Sequence, residues 1–292
     1  MFGVGFSLRS DMANQQSGLS KAGGGGGKTE SLLPGATVYA GAELTTRGRD
    51  EWVLGNGLGG FAMGTAGGIP ERRYHAMLIA GTTPPVGRVA ALQTMVEWLV
   101  VEHHGVLTRH PISGLRFAGG AVSPADAAPL ARFSFGQSCE WAWRITTKVG
   151  VFMVERELVL HHGRNAATVR YRLTRDKVGH HEKDGTRVWI EARPLVNLRD
   201  FHALLTPGEP HGHQVSNLGA DGVTVSRMAM SLEMRIDPGQ GRFASGAETW
   251  RNVEYTREHE RGMDDVEDLW SPGVFVLAMM GDHWAHGRVL GA

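Results

Sequence analysis

The stretch Glu51-Trp52-Val53-Leu54-Gly55-Asn56-Gly57-Leu58-Gly59-Gly60-Phe61-Ala62-Met63-Gly64-Thr65-Ala66-Gly67-Gly68-Ile69-Pro70 decides between two folds. Its residues 55–60 satisfy GxGxxG, the pattern of a dinucleotide-binding loop. That chemistry needs a helix directly after the glycines, with its N-terminus facing a pyrophosphate. Residues 61–70 instead supply three more glycines and a proline, which oppose a helix. The glycines are therefore read as turn formers that permit close backbone packing. No alternating β/α pattern follows, so the dinucleotide reading is set aside.

Outward from that stretch, the chain reads as strands between turn signals. Residues 88–101 form a long β-prone run closed by His103-His104-Gly105, and residues 106–110 follow. Residues 141–147 and 151–160 flank Lys148-Val149-Gly150, the composition of a hairpin loop. In residues 167–175, Val169, Tyr171 and Leu173 alternate with Arg170 and Arg172, the period-2 signature of one buried and one wet face. Further strands are predicted at 187–192, 223–228, 232–236, 249–256 and 274–280. Helical periodicity is scarce, and no internal repeat points to a propeller. Many strands with Gly-rich turns predict an all-β antiparallel sandwich. Its folded part spans 36–280, after a flexible Gly-rich arm over 1–35 and before a polar tail over 281–292.

Bulk properties remove several function classes. Lys+Arg and Asp+Glu are both 30, so there is no global positive field for nucleic acid. No run of about 18 apolar residues exists, so no membrane span is expected. A single cysteine, Cys139, allows no intramolecular disulfide and fits a reducing cytoplasm; it reads as a small core residue. No cofactor pattern is present.

Three segments carry a family resemblance. The first is the stretch above from Glu51 to Thr65, followed by Arg72-Arg73-Tyr74-His75-Ala76-Met77-Leu78. The second is Pro194-Leu195-Val196-Asn197-Leu198-Arg199-Asp200-Phe201-His202. The third is Glu260-Arg261-Gly262-Met263-Asp264-Asp265-Val266-Glu267-Asp268-Leu269-Trp270-Ser271-Pro272-Gly273. Together and in this order they resemble the N-terminal domain of bacterial and archaeal glycogen-debranching enzymes, amylo-α-1,6-glucosidases. That family typically reads "EW…NGLGGYASGT…TRRYHGLL", then "PL-N-RD-H", then "RGLD-ED-SPG". Departures are Ala76 where the family usually has Gly, and Pro70-Glu71 before the Arg pair. The resemblance implies a large antiparallel β-supersandwich of the galactose-mutarotase-like or glucoamylase N-domain-like kind. In the family this domain precedes a catalytic (α/α)6 barrel, and no long amphipathic helices follow here. The resemblance therefore implies a non-catalytic domain, inactive as an enzyme by itself, whose partners are that barrel and α-glucan.

Candidate site residues follow from polar clusters. Arg72, Arg73, Tyr74 and His75 form one group, and Asn197, Arg199, Asp200 and His202 a second. Such side chains give directional hydrogen bonds to sugar hydroxyls, and Tyr74 can stack on a pyranose. They serve equally as an internal polar network or as the interface to the barrel. Convergence of the two groups would mark one functional surface. Asp264, Glu267 and Asp268, in a segment read as a surface turn or short helix, are candidates for docking the barrel.

Glu155 and Glu157 lie on one strand face about 7 Å apart. That spacing tempts a glycosidase reading, but a solvated strand face is the simpler account. Arg156, on the apolar face, needs a buried partner or an edge position. The adjacent pairs His103-His104, His161-His162 and His180-His181 should project oppositely, and His211-Gly212-His213 is isolated, so no metal site is assigned. The alternative to an accessory domain is a stand-alone carbohydrate-binding or sugar-processing sandwich. A concave pocket lined by aromatic and polar groups would favour that, whereas an exposed apolar patch beside residues 72–75 would favour the accessory domain.

Overall fold

The computed structural model describes residues 36–83, 86–176 and 185–279, and the backbone of 285–291. The predicted arm over 1–35 and the pair His180-His181 lie outside the described residues. Strand β1 (Thr37–Ala40) and a short helix α1 (Ala42–Arg47) lead into β2 (Glu51–Gly55), β3 (Phe61–Thr65) and β4 (Ala76–Thr83). Then come the long β5 (Gly87–His103), β6 (Val106–Pro111), and two short strands, β7 (Leu115–Arg116) and β8 (Val122–Ser123). A meander follows: β9 (Leu130–Phe135), β10 (Cys139–Thr147), β11 (Gly150–Leu160) and β12 (Ala167–Arg175). After β13 (Arg187–Asp200) come β14 (Gln214–Asn217), β15 (Gly222–Arg227), β16 (Met230–Ile236) and β17 (Gly241–Glu254). Helix α2 (Thr256–His259), β18 (Val266–Ala278) and β19 (Ala285–Gly291) complete the order.

Two antiparallel sheets result. One runs β1-β9-β10-β11-β12-β19-β16-β15-β14; the other runs β17-β18-β13-β5-β4-β3-β2, with β6 also paired to β5. The 17-residue β5 is the spine of the second sheet, because β13 pairs along nearly its whole length on one side. The inner faces close on one shared core that includes Trp52, Leu78, Leu99 and Ile190 from one sheet and Trp141, Phe152, Val169 and Val225 from the other. The Trp52 and Trp141 rings meet edge to face across the sandwich, 5.6 Å between centroids. Each large apolar side chain buried there contributes roughly 1.5–3 kcal/mol. Cys139 is buried in that core, as its sequence context predicts.

The glycine stretch is a hairpin. Glu51 pairs with Thr65 and Gly55 with Phe61, which eliminates the dinucleotide reading. Asn56 organises the turn: its Oδ1 accepts from the Leu58 and Gly60 amides at 2.8 and 2.9 Å. A Cβ on Gly60 would sit 2.7 Å from the Ile79 carbonyl oxygen, so close backbone approach requires glycine there.

Four expectations need correction. The segment predicted as a polar tail contains β19, which fills the gap between β12 and β16 and so removes two open edges. The acidic segment read as a surface turn or short helix begins β18 at Val266, and β18 gains pairing on both flanks from β13 and β17. The faces of Glu155 and Glu157 are not freely solvated: Arg132 and Arg172 pair with Glu155, and Arg170 pairs with Glu157. His103 and His104 do not project oppositely either. His104 has φ 48° at the turn, and the two rings lie 4.0 Å apart. Arg156 does have the buried partner its position demands, Glu97 at 2.8 Å, and its guanidinium lies over the Trp141 and Trp143 rings.

Candidate functional site

The site begins with β13, whose Leu195, Asn197 and Arg199 sit at alternate positions. Register shifts against β5 between Leu195 and Arg199 bend the strand there. Leu198, in the left-handed region at φ 48°, is held at the bend, where its carbonyl accepts from Arg227 at 3.0 Å. A non-glycine residue in that region costs of order 1–3 kcal/mol, which surrounding contacts must offset. The segments 201–213 and 255–265 contribute the partners that meet this part of the sheet.

Glu267 on β18 is the hub. Its carboxylate accepts from Arg199 Nε and Nη2, both at 2.8 Å, and from Asn197 Nδ2 at 2.9 Å. The Leu205 amide donates at 3.2 Å, and the Tyr255 hydroxyl donates in a short hydrogen bond. Glu267 and Asn197 are fully buried and Arg199 is 2% exposed. Burial opposes the charge on Arg199, but Glu267 more than offsets it, so the guanidinium pKa is raised. Burial and then the Glu267 carboxylate push the Tyr255 hydroxyl well above its ordinary value, keeping it a donor. The forked Arg199–Glu267 pair has the bidentate geometry in which a buried ion pair is strongest.

The first predicted group joins this hub. Arg199 Nη2 donates to the Arg73 carbonyl at 3.1 Å. Arg73 donates to the carbonyls of His202 and Asp264, each at 2.9 Å, so one guanidinium ties all three sequence motifs together. Its Nε lies 3.7 Å from the buried Glu258 carboxylate on α2. Tyr74 and His202 share a hydrogen bond at 3.0 Å, and their rings meet at right angles.

His75 is buried, with a defined tautomer. Its Nδ1 accepts from the Glu71 amide at 2.9 Å, which leaves Nε2–H to face Glu51 at 2.9 Å. Burial pushes its pKa down to about 4 despite the Glu51 carboxylate. Burial raises the pKa of Glu51, but hydrogen bonds from Arg72 and His75 outweigh it and leave the pKa lowered. Glu71 in turn accepts from Arg49 and Arg257.

The eight predicted residues therefore divide. Arg73, His75, Asn197 and Arg199 are buried and bonded to protein groups, whereas Arg72 and Tyr74 are half-buried, and Asp200 and His202 are exposed. Of the three docking candidates only Asp264 is exposed. Glu267 is the hub, and the Asp268 carboxylate holds the Gly208 and Asn252 amides, each at 2.8 Å. Sequence reasoning missed Tyr255, Glu258 and Gln93, which donates to the Tyr255 hydroxyl at 2.9 Å. None of the three lies in a segment whose local pattern distinguishes it from an ordinary strand or turn residue.

The exposed members border an apolar surface. Val53 is 56% exposed and pairs with Met63; Phe61, two residues before Met63, lies on the same strand face. The Phe61 and Tyr74 rings both contact Phe201, at 6.5 and 5.5 Å. Leu58, 41% exposed, lies in the turn beside Phe61. This is the arrangement of an apolar patch with a polar rim of Arg72, Asp200 and His202.

The architecture and its hub define a class: a large two-sheet antiparallel sandwich in which three separated segments are locked together by one buried carboxylate. The family model for the glycogen debranching enzyme N-terminal domain matches residues 50–285, and the chain belongs to that family. No curated protein sequence matches the chain significantly.

Proposed function

We propose that this domain supports a catalytic α-1,6-glucosidase domain and docks it through the surface of Tyr74, Asp200, His202 and the adjoining Val53, Leu58 and Phe61. The observation that carries the reading is convergence: the three family segments meet at one buried network, beside which Tyr74 and the exposed His202 share a hydrogen bond. Buried charges hold the backbone, and the exposed aromatic and apolar groups remain available for a partner. A contiguous apolar patch with a polar rim is the ordinary mark of an interaction surface.

On this reading the carboxylates are not catalytic. Glu155 and Glu157 are capped by arginines, and Glu267 is sealed from solvent. Purified chain should release no glucose from phosphorylase-limit dextrin. Mixed with an (α/α)6 α-1,6-glucosidase domain, it should form a complex by sedimentation, weakened at least about tenfold by Tyr74→Ala or Phe61→Asp. Glucose release by the chain alone, abolished by Asp200→Asn, would overturn the reading. So would a complex indifferent to both surface variants.

A further inference from the structure

Strand β2 ends its sheet, with β3 on one side and no strand on the other among the described residues. Its hydrogen bonds fix which backbone groups are free. The Asn56 amide donates to the Gly60 carbonyl at 3.1 Å, and the Ala66 amide to the Asp50 carbonyl at 2.8 Å. Pairs alternate along an antiparallel ladder, so Trp52 and Leu54 also turn their backbone toward β3, and Glu51, Val53 and Gly55 turn theirs outward. Those three residues are exposed, and their amides and carbonyls have no hydrogen-bond partner among the described residues. Natural edge strands are blunted by bulges, prolines or lysines. β2 has none of these: its register with β3 is unbroken, and Val53 at its centre is 56% exposed. The other sheet ends differ. Register shifts interrupt β17, and β1 and β14 have four residues each.

We propose that β2 is the seam of a homodimer, pairing antiparallel with β2 of a second copy across a two-fold axis at Val53. Gly55 points to a close neighbour. Its φ lies outside the left-handed region, and a Cβ there would meet nothing within 4 Å, so neither the turn nor the chain's own packing calls for glycine. Glycine inside a strand marks the close approach of another backbone. Two-fold pairing supplies one. With Val53 opposite the partner's Val53, Gly55 lies opposite the partner's Glu51. Within each copy Arg72 engages Glu51, and the missing side chain at Gly55 leaves room for that ion pair.

Symmetry and charge choose the register. An axis at Glu51 would set two carboxylates directly opposite each other, which is destabilising. An axis at Gly55 would set Val53 and Glu51 against Gly57 and Gly59, whose left-handed φ values of 78° and 84° take them out of the strand. With the axis at Val53, all three outward residues donate and accept, and two valines meet at the centre. So short a seam lies below the area of permanent dimers, and the association is reversible and concentration-dependent. The seam stands independently of the docking surface. A two-fold axis normal to the sheet puts the same face of both copies on one side, so the docking surfaces of the two copies face the same way.

The test is sedimentation velocity of the purified chain over a range of concentrations, with amide exchange followed by NMR. A monomer–dimer equilibrium is expected, with the Val53 and Gly55 amides protected only as the dimer forms. Val53→Pro deletes a donor that β3 does not use, and Gly55→Arg fills open space. Each should raise the dissociation constant at least about tenfold, Gly55→Arg at unchanged Tm. Val215→Lys on β14, an edge of the other sheet, should leave it unchanged. So should Tyr74→Ala, which separates failure of the seam from failure of the docking surface. A monomer at every concentration, a dimer indifferent to both β2 variants, or a dimer lost in Val215→Lys or Tyr74→Ala would each overturn the proposal. Protection of the Val53 and Gly55 amides in the monomer would do the same, because another segment of the chain would then occupy the edge.

Discussion

Glu97 and Glu267 are both fully buried, each paired to a nearly buried arginine and each hydrogen-bonded by a tyrosine hydroxyl. Their surroundings differ. Glu97 lies between the sheets, where Arg156, Tyr171 and Ser113 meet it and two indole rings flank the guanidinium. It ties β5 to β11 and β12 of the facing sheet, 59 and 74 residues away. Glu267 joins neighbouring strands of one sheet, Asn197 and Arg199 of β13 with its own β18, and also holds the Leu205 amide in the loop after β13. Through Arg199 it also reaches the Arg73 carbonyl, 126 positions from Arg199. A buried Arg–Glu pair therefore does not by itself mark a functional region; what separates the two is which loops the pair holds and whether those loops reach a surface.

That comparison is open to direct attack. The largest effect expected is from Glu267→Ala, which strands Arg199 in the interior and frees Asn197 and the Leu205 amide. Removing one partner of a buried ion pair costs about 3–5 kcal/mol. Glu97→Gln should cost less, because Arg156 keeps its two indole faces, and a cation–π contact is worth about 2 kcal/mol when desolvated. Urea unfolding of both variants checks the order, and equal losses would remove the distinction drawn between the two regions.

Acid should find the same difference. His75 has a folded pKa near 4 against an unfolded value of about 6.5. The folded state thus binds fewer protons than the unfolded state between those values, and stability falls as pH drops from about 6.5 toward 4. The shift corresponds to at most about 3 kcal/mol. Hydrogen exchange followed down that range should loosen first at the Glu71 amide, whose acceptor is His75 Nδ1. His75→Gln should flatten the dependence; an unchanged profile in that variant would show that another group controls it.

The smallest effect belongs to an exposed ion pair on β16. Arg235 pairs with Glu233, both side chains more than a third exposed. Arg235→Ala should change stability by less than about 1 kcal/mol, as exposed ion pairs do. A loss matching that of Glu267→Ala would mean that this pair is structural in the same sense as the hub.

Much of this was legible in residue order. Period-2 alternation in 167–175 gave a strand that matches β12 residue for residue, because one face is buried and one is wet. The position of Arg156 on an apolar face demanded a partner, although nothing local named Glu97. Where both faces are covered the signal fails. β13 runs on from residue 192 to Asp200 through Pro194, and Val196 to Arg199 are all buried, so alternation vanishes there. Of β18 only the apolar half from Val274 was legible; its start was missed because Glu267 and Asp268 look like surface residues until Arg199 and the Gly208 and Asn252 amides are placed against them.

The sequence by itself determined the fold class, the turn at Gly55–Gly60 and the family, because turn chemistry, side-chain alternation and short motifs are local. Tertiary structure alone decided which charged residues face inward, and that the three motifs converge on Glu267. The physical reason is that burial and pairing of a polar group depend on neighbours brought in from distant parts of the chain.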